Sequence, residues 1–136
     1  MVLVDTNVLL DIVADDERWF EVSRQSLEAE ALKGALLINP VVYAELSVRY
    51  PSVEAVDAFV SGTGLELAEI PRAALFLAAK AFAAYRRAGG HRTGVLSDFF
   101  IGAHAAILNI PILTRDVQKY RTYFPTVELR VPQEPG

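Results

Sequence analysis

Short apolar runs alternating with longer amphipathic ones predict an α/β protein, a three-layer α/β/α arrangement with a mostly parallel central sheet of about five short strands. Three observations carry this prediction. Strand-like runs lie at 2–5, 35–38, 65–70, 111–114 and 126–131, and the segments between most of them are long enough to hold helices, the pattern of parallel strands joined by crossovers. Helix start signals precede those segments, among them Asn39-Pro40, Ser52 and Ser97. Finally, 136 residues with 52% hydrophobic content suffice for one domain with a real core and exclude a disordered chain.

The elements follow in order. Val2 to Asp5 reads as a strand, and Thr6 or Asn7 caps a helix running to Val13. Asp15 to Lys33 is amphipathic, with Trp19, Phe20, Val22 and Leu27 among its apolar members, and Gly34 stops it. "ALLI" at 35–38 is the second strand. Asn39 then caps a helix with Pro40 in its first turn. Ser52 caps another, which Gly62 and Gly64 break before the strand "LELAEI" at 65–70. Pro71 opens a long helix to about Arg87, and "AGGHRTG" at 88–94 is a flexible loop. Ser97 caps a helix to Asn109, "PILT" at 111–114 is the fourth strand and "TVELRV" at 126–131 the fifth. Residues 1–132 form the domain and 133–136 a frayed tail. There is no internal repeat and no linker long enough to divide the chain.

Composition narrows the function classes. Without cysteine there is no disulfide framework, thiolate zinc site or cysteine nucleophile. No basic region precedes the first apolar run, and Asp5 and Asp11 interrupt it, so it is not read as a signal peptide. No stretch approaches the ~20 apolar residues that span a bilayer. A soluble, cytoplasmic protein with no membrane partner is expected. The net charge of −4 is unevenly spread: residues 1–85 hold 6 Lys/Arg against 13 Asp/Glu, whereas residues 86–136 hold 7 against 4. Charge alone is read as a solvated face, or as a pointer to a polyanion.

The opening "VLVDTNVLLDI" poses the sharper question, since a buried strand needs no carboxylate at its end. In doubly wound sheets chemistry gathers at the carboxyl ends of the strands. Asp5 ends the first strand, and Asp116 follows the fourth in "ILTRD". Asp98 falls in the first turn of the helix before that strand, and Glu45 in the helix after the second strand, in "INPVVYAEL". Each acid has a structural explanation as well. Asp5 and Asp116 are able to cap following helices, and Asp98 suits a helix dipole. Glu45, beside Tyr43, Ala44 and Leu46, has the weakest one, because an unpaired carboxylate is costly to bury. Four acids at one edge repel unless a cation compensates, and oxygen-only ligation suits a hard ion such as Mg²⁺ or Mn²⁺.

On these residues the chain resembles PIN-domain ribonucleases, specifically VapC-type toxins of toxin–antitoxin pairs. The matching stretches are "VLVDTNVLLDI" at 2–12, "INPVVYAEL" at 38–46, "LSDFFIGAHAAILNIPILTRD" at 96–116 and "YRTYFP" at 120–125. The resemblance implies a PIN-like fold and an acidic catalytic site of Asp5, Glu45, Asp98 and Asp116. Asp5 and Asp98 would be the principal Mg²⁺ ligands, with Thr6, Asn7 and Thr114 lending polar support and Mn²⁺ able to substitute. It also implies an RNA substrate, a VapB-type antitoxin whose segment covers an apolar groove and blocks the site, and a homodimer. The apolar helices around Trp19, Phe20, Val56, Phe59 and Val60 offer surface for partners, or are ordinary core.

Phosphodiester hydrolysis needs an activated water, neutralised phosphate charge and a stabilised leaving oxygen. Glu45 or Asp116 would orient or deprotonate the water. His91, Arg92 and Arg115 are the RNA-contact candidates, while His104 reads as a core histidine and Tyr120, Tyr123 and Phe124 as packing for the last helix. Two rival readings are an inert PIN-like interaction module and a phosphoacceptor receiver domain. The receiver needs an aspartate after the third strand, where this chain has "AEIPR".

Overall fold

The computed structural model describes residues 1–92 and 94–133. Thr93 of the expected 88–94 loop and the last three residues of the expected tail lie outside the described residues. The first half holds β1 (Val2–Val4), α1 (Thr6–Val13), α2 (Phe20–Lys33), β2 (Leu36–Ile38), α3 (Pro40–Ser47), α4 (Val53–Thr63) and β3 (Leu65–Leu67). The second holds α5 (Arg72–Arg87), α6 (Leu96–Leu108), β4 (Ile112–Leu113), α7 (Gln118–Arg121) and β5 (Leu129–Arg130).

The five strands form one sheet in the order β3-β2-β1-β4-β5, and every neighbouring pair is parallel. Val2 pairs with Leu36 and Leu3 with Ile112, so β1 is the central strand from which the chain proceeds to either side. Right-handed crossovers on the two sides of such a turning point send helices to both faces, which gives the three-layer α/β/α arrangement. β1, β2 and β4 are consequently buried on both faces, and their runs are continuously apolar rather than alternating.

Local chemistry explains most boundaries. Asn39 Oδ1 accepts from the Val42 amide (3.0 Å) with Pro40 at the first helical position, and Ser52 Oγ accepts from the Ala55 amide (3.1 Å). Gly64 ends α4 in the left-handed conformation at φ 76°. Elsewhere the structure departs from expectation. Asp5, not Thr6 or Asn7, caps α1 through the Thr6 amide. α2 starts at Phe20 rather than Asp15, because Asp15 turns left-handed (φ 49°) and Asp16 Oδ1 accepts from the Arg18 and Trp19 amides, which makes a turn of the first residues. Val95 occupies the cap position of α6, and Ser97 lies inside the first turn with its hydroxyl on the Gly94 carbonyl. Strands three and five are shorter than the apolar runs that announce them.

Around α6, the rings of Phe82, Tyr85, Phe99, Tyr123 and Phe124 interlock at centroid separations of 5.3 to 6.2 Å. This is close enough for favourable edge-to-face contact. The cluster packs α5, α6 and the segment after α7 together, and so fixes the helix that delivers Asp98.

Candidate active site at the carboxyl edge of the sheet

The site grows from the crevice beside β1 and β4, where the strand order turns back. Asp5 follows β1 and is completely buried. Its Oδ1 accepts from the Thr6 amide at 2.8 Å, while Oδ2 accepts from Tyr120 Oη at 2.7 Å and from Thr114 Oγ1 at 2.8 Å. Longer contacts to Oδ2 come from Asn7 Nδ2 and Lys119 Nζ, both at 3.4 Å. A buried carboxylate is tolerated only when it is so satisfied. Burial, reinforced by the Asp5 charge, pushes the Tyr120 phenol well above its usual value, so it stays protonated and donates.

Glu45, half-buried on α3, accepts from Thr6 Oγ1 at 2.5 Å. Asp98 enters from the first turn of α6, and its Oδ1 lies 3.2 Å from Lys119 Nζ. Burial raises the Asp98 pKa above its usual value; Lys119 opposes this, and the charges of Asp5 and Glu45 add to it. Asp5 and Glu45 thus act electrostatically on Asp98, and the Lys119 ammonium pairs with Asp5 and Asp98. Burial alone would lower the Lys119 pKa, but Asp5 and Asp98 outweigh it, so the net shift is upward and the side chain is a cation.

Asp116 is exposed and stands at the rim of a cavity of about 270 Å³ that it lines together with Asp98, Lys119, Arg92 and Tyr85. Its side chain does not cap α7; its amide donates to Thr114 Oγ1 at 3.0 Å. A second cleft, of about 400 Å³, is lined by Thr6, Asn7, Glu45, Arg49 and Lys119.

A search of curated proteins finds no significant match. The family model for the PIN domain matches residues 2–125. The chain belongs to the PIN-domain family. Among solved structures, its fold is similar to VapBC2 from Rickettsia felis bound to a promoter DNA fragment, with TM-score 0.74 at 19% identity over 98% of this chain and 100% of that one. It is also similar to VapBC-1 from nontypeable Haemophilus influenzae, with TM-score 0.70 at 16% identity over 96% and 98%. DNA-bound VapBC from Salmonella typhimurium gives TM-score 0.70 at 18% identity over 98% and 100%. At such identities the likeness is one of fold.

In this PIN domain the residues expected to lend polar support are linked to one another by hydrogen bonds. Thr114 is buried and ties Asp5, Asn7 and the Asp116 amide together, and Asn7 Oδ1 receives the Arg115 amide at 3.0 Å. The RNA-contact candidates separate. His91 and Arg92 are exposed, and Arg92 is held at the cavity by its amide donating to Tyr85 Oη at 2.9 Å. Arg115 is engaged inward. Its Nε and Nη2 clasp Asp11 at 2.8 and 2.9 Å, and its guanidinium lies 4.5 Å from the Trp19 ring centroid. Such a fork is an anchor between α1 and the end of β4.

PIN nucleases generally use divalent metals. Among the described residues no three of His, Asp and Glu converge tightly enough to chelate an ion as they stand. The donor set nevertheless fits a hard cation, because it is oxygen-only and a cation, the Lys119 ammonium, already stands between Asp5 and Asp98. Lys119 and Tyr120 touch Asp5 and stand outside the candidate set that the sequence offers. Their only signal is position, three and four residues beyond Asp116 in the short helix that follows it. Arg49 was missed as well, and nothing local marks it.

Proposed function

We propose that this PIN domain is a metal-dependent endoribonuclease, the VapC-type toxin of a toxin–antitoxin pair acting in the cytoplasm. The observation that carries the reading is the electrostatic coupling of Asp98 to Asp5 and Glu45 at the carboxyl edge of the sheet, beside an open cleft that Asp98, Asp116 and Arg92 line. Asp5 and Asp98, with Glu45 and Asp116, would hold Mg²⁺ or Mn²⁺, which supplies Lewis-acid stabilisation of phosphate charge and an acidified water. The chain's own groups do the rest. Tyr120, Thr114 and the Thr6 amide fix the Asp5 carboxylate, and Thr6 holds Glu45, which, or else Asp116, would orient the attacking water. Arg92 and His91 face solvent near the cleft and would meet the phosphates of a single RNA strand. An antitoxin of VapB type and a second copy of the chain are the proposed partners. Support comes from the fold likeness to VapBC complexes and from a groove of about 310 Å³ in which Ile12, Leu27, Ala31 and Leu36 are flanked by Arg24, Glu28 and Thr63. Of the residues offered to partners, Val56 is core at 2% exposure, whereas Trp19, Phe20, Phe59 and Val60 are half-buried.

The test is an RNA-cleavage gel with Mg²⁺ or Mn²⁺, with EDTA, and with Asp5→Asn. Cleavage is expected only in the wild type with metal. Undiminished cleavage in chelator would overturn the metal requirement. Absence of any cleavage across a broad RNA set would favour the inert interaction module, the second reading that a lysine between Asp5 and Asp98 also permits.

A further inference from the structure

Lys119 bridges Asp5 and Asp98, the two proposed principal ligands. Its ammonium lies 3.4 Å from Asp5 Oδ2 and 3.2 Å from Asp98 Oδ1, with the side chain 25% exposed. It also lines both clefts, the one holding Asp98, Asp116 and Arg92 and the one holding Thr6, Glu45 and Arg49. It is therefore the wall between them. We infer that Lys119 is a built-in placeholder, an internal cation that holds the acids together in the metal-free protein and withdraws when a divalent ion binds. The inference rests on the metal-site reading above and adds a positioning role that acts through Asp5 and Asp98.

The geometry supports withdrawal. Both contacts are longer than the 2.7–2.9 Å of a tight charge-assisted bond, so each is individually easy to exchange. The anchor of α7 in the site is not Lys119 but its neighbour, because Tyr120 is fully buried and donates to Asp5 at 2.7 Å. A four-carbon side chain on an anchored helix swings out without moving its backbone. A divalent ion held by Asp5 and Asp98 would need both the space and the charge balance that the ammonium now provides, and two cations there would repel. Once Lys119 leaves, the clefts join into one groove with Arg49 at the Glu45 end and Arg92 at the Asp98 end. Such a groove suits the backbone of a single RNA strand.

Two measurements test this, neither of which reads activity. Mn²⁺ affinity, measured by calorimetry on the full chain, is expected to rise roughly tenfold in Lys119→Met, the size of one lost competing charge-assisted contact. In the wild type, acetylation by acetic anhydride should label Lys119 slowly without metal and several-fold faster with saturating Mg²⁺, while exposed Lys33 and Lys80 serve as controls with unchanged rates. Unchanged or weaker Mn²⁺ binding by Lys119→Met overturns the inference, as does a Lys119 labelling rate insensitive to Mg²⁺ in wild type that binds it. If neither protein binds metal, the metal-site reading falls and takes this inference with it. The labelling arm needs no variant, so a Lys119→Met chain that fails to fold leaves the question decided by wild type alone.

Discussion

His104 shows how a single buried residue acquires a pH dependence. Asn39 uses its side-chain oxygen to cap α3, so its amide nitrogen is the group facing His104 Nδ1 at 3.3 Å. Nδ1 must then accept, which places the proton on Nε2, a buried atom with no hydrogen-bond partner among the described residues. Burial lowers the His104 pKa from its usual 6.5. The unfolded chain therefore takes up a proton, below about pH 6.5, that the fold resists. Stability is full above that pH and declines as pH falls below it, by at most about 1.4 kcal/mol per pH unit for one proton. His104→Gln retains an acceptor for Asn39 without a titrating ring. Urea midpoints measured from pH 7.5 to 5.0 should fall less steeply in this variant than in wild type. Parallel curves would assign the acid sensitivity to other groups.

At the scale of elements, α6 carries both chemistry and packing, and glycine makes that possible. A Cβ built at Gly102 would lie 2.3 Å from the Phe124 ring, which is itself buried at 3% exposure. The absent side chain lets Phe124 seat against α6, next to the Phe99 that follows Asp98. Helix propensity by itself favours alanine here by about 1 kcal/mol, whereas overpacking a filled core costs about 1–3 kcal/mol. The ring has little room to retreat, so the clash should win. Gly102→Ala is expected to lower stability by about 1–2 kcal/mol in chemical denaturation, and to weaken Mg²⁺ response if α6 shifts. A stabilised Gly102→Ala would show that the helix is not held by this contact.

The whole molecule responds to charge at one edge of the sheet. Burial and the Asp5 and Glu45 charges raise the Asp98 pKa against the pull of Lys119, so the ionised form of Asp98 is disfavoured in the metal-free fold. Removing that charge should not destabilise. Asp98→Asn is expected to melt no lower than wild type without metal. With Mg²⁺ at about a hundred times its dissociation constant, mass action stabilises the wild type by about 2.7 kcal/mol, a rise on the order of 10 °C for a domain of this size. The variant should gain much less. Differential scanning fluorimetry with and without Mg²⁺ reads both effects. A full metal shift in Asp98→Asn would reduce Asp98 to a helix-terminus residue and dissolve the single site.

What the sequence determined by itself is what neighbours along the chain decide. Continuous apolar runs marked the buried strands, the alternation of runs implied a parallel sheet, and Asn39, Ser52 and Gly64 set helix ends by bonds reaching no more than four residues. The acids were legible because strand ends are where such sheets do chemistry. The start of α2 was misread because an amphipathic pattern continues through Asp15 while its backbone turns left-handed. The tertiary structure alone decided what meets those acids. Lys119 and Tyr120 reach Asp5 across 114 and 115 residues, and Arg115 reaches Asp11 across 104. Those pairings depend on β4 lying beside β1, a strand order that no local propensity encodes. Hence a tyrosine read as packing supports a carboxylate, an arginine offered as an RNA contact clasps Asp11, and a lysine counted only among the basic residues stands between Asp5 and Asp98.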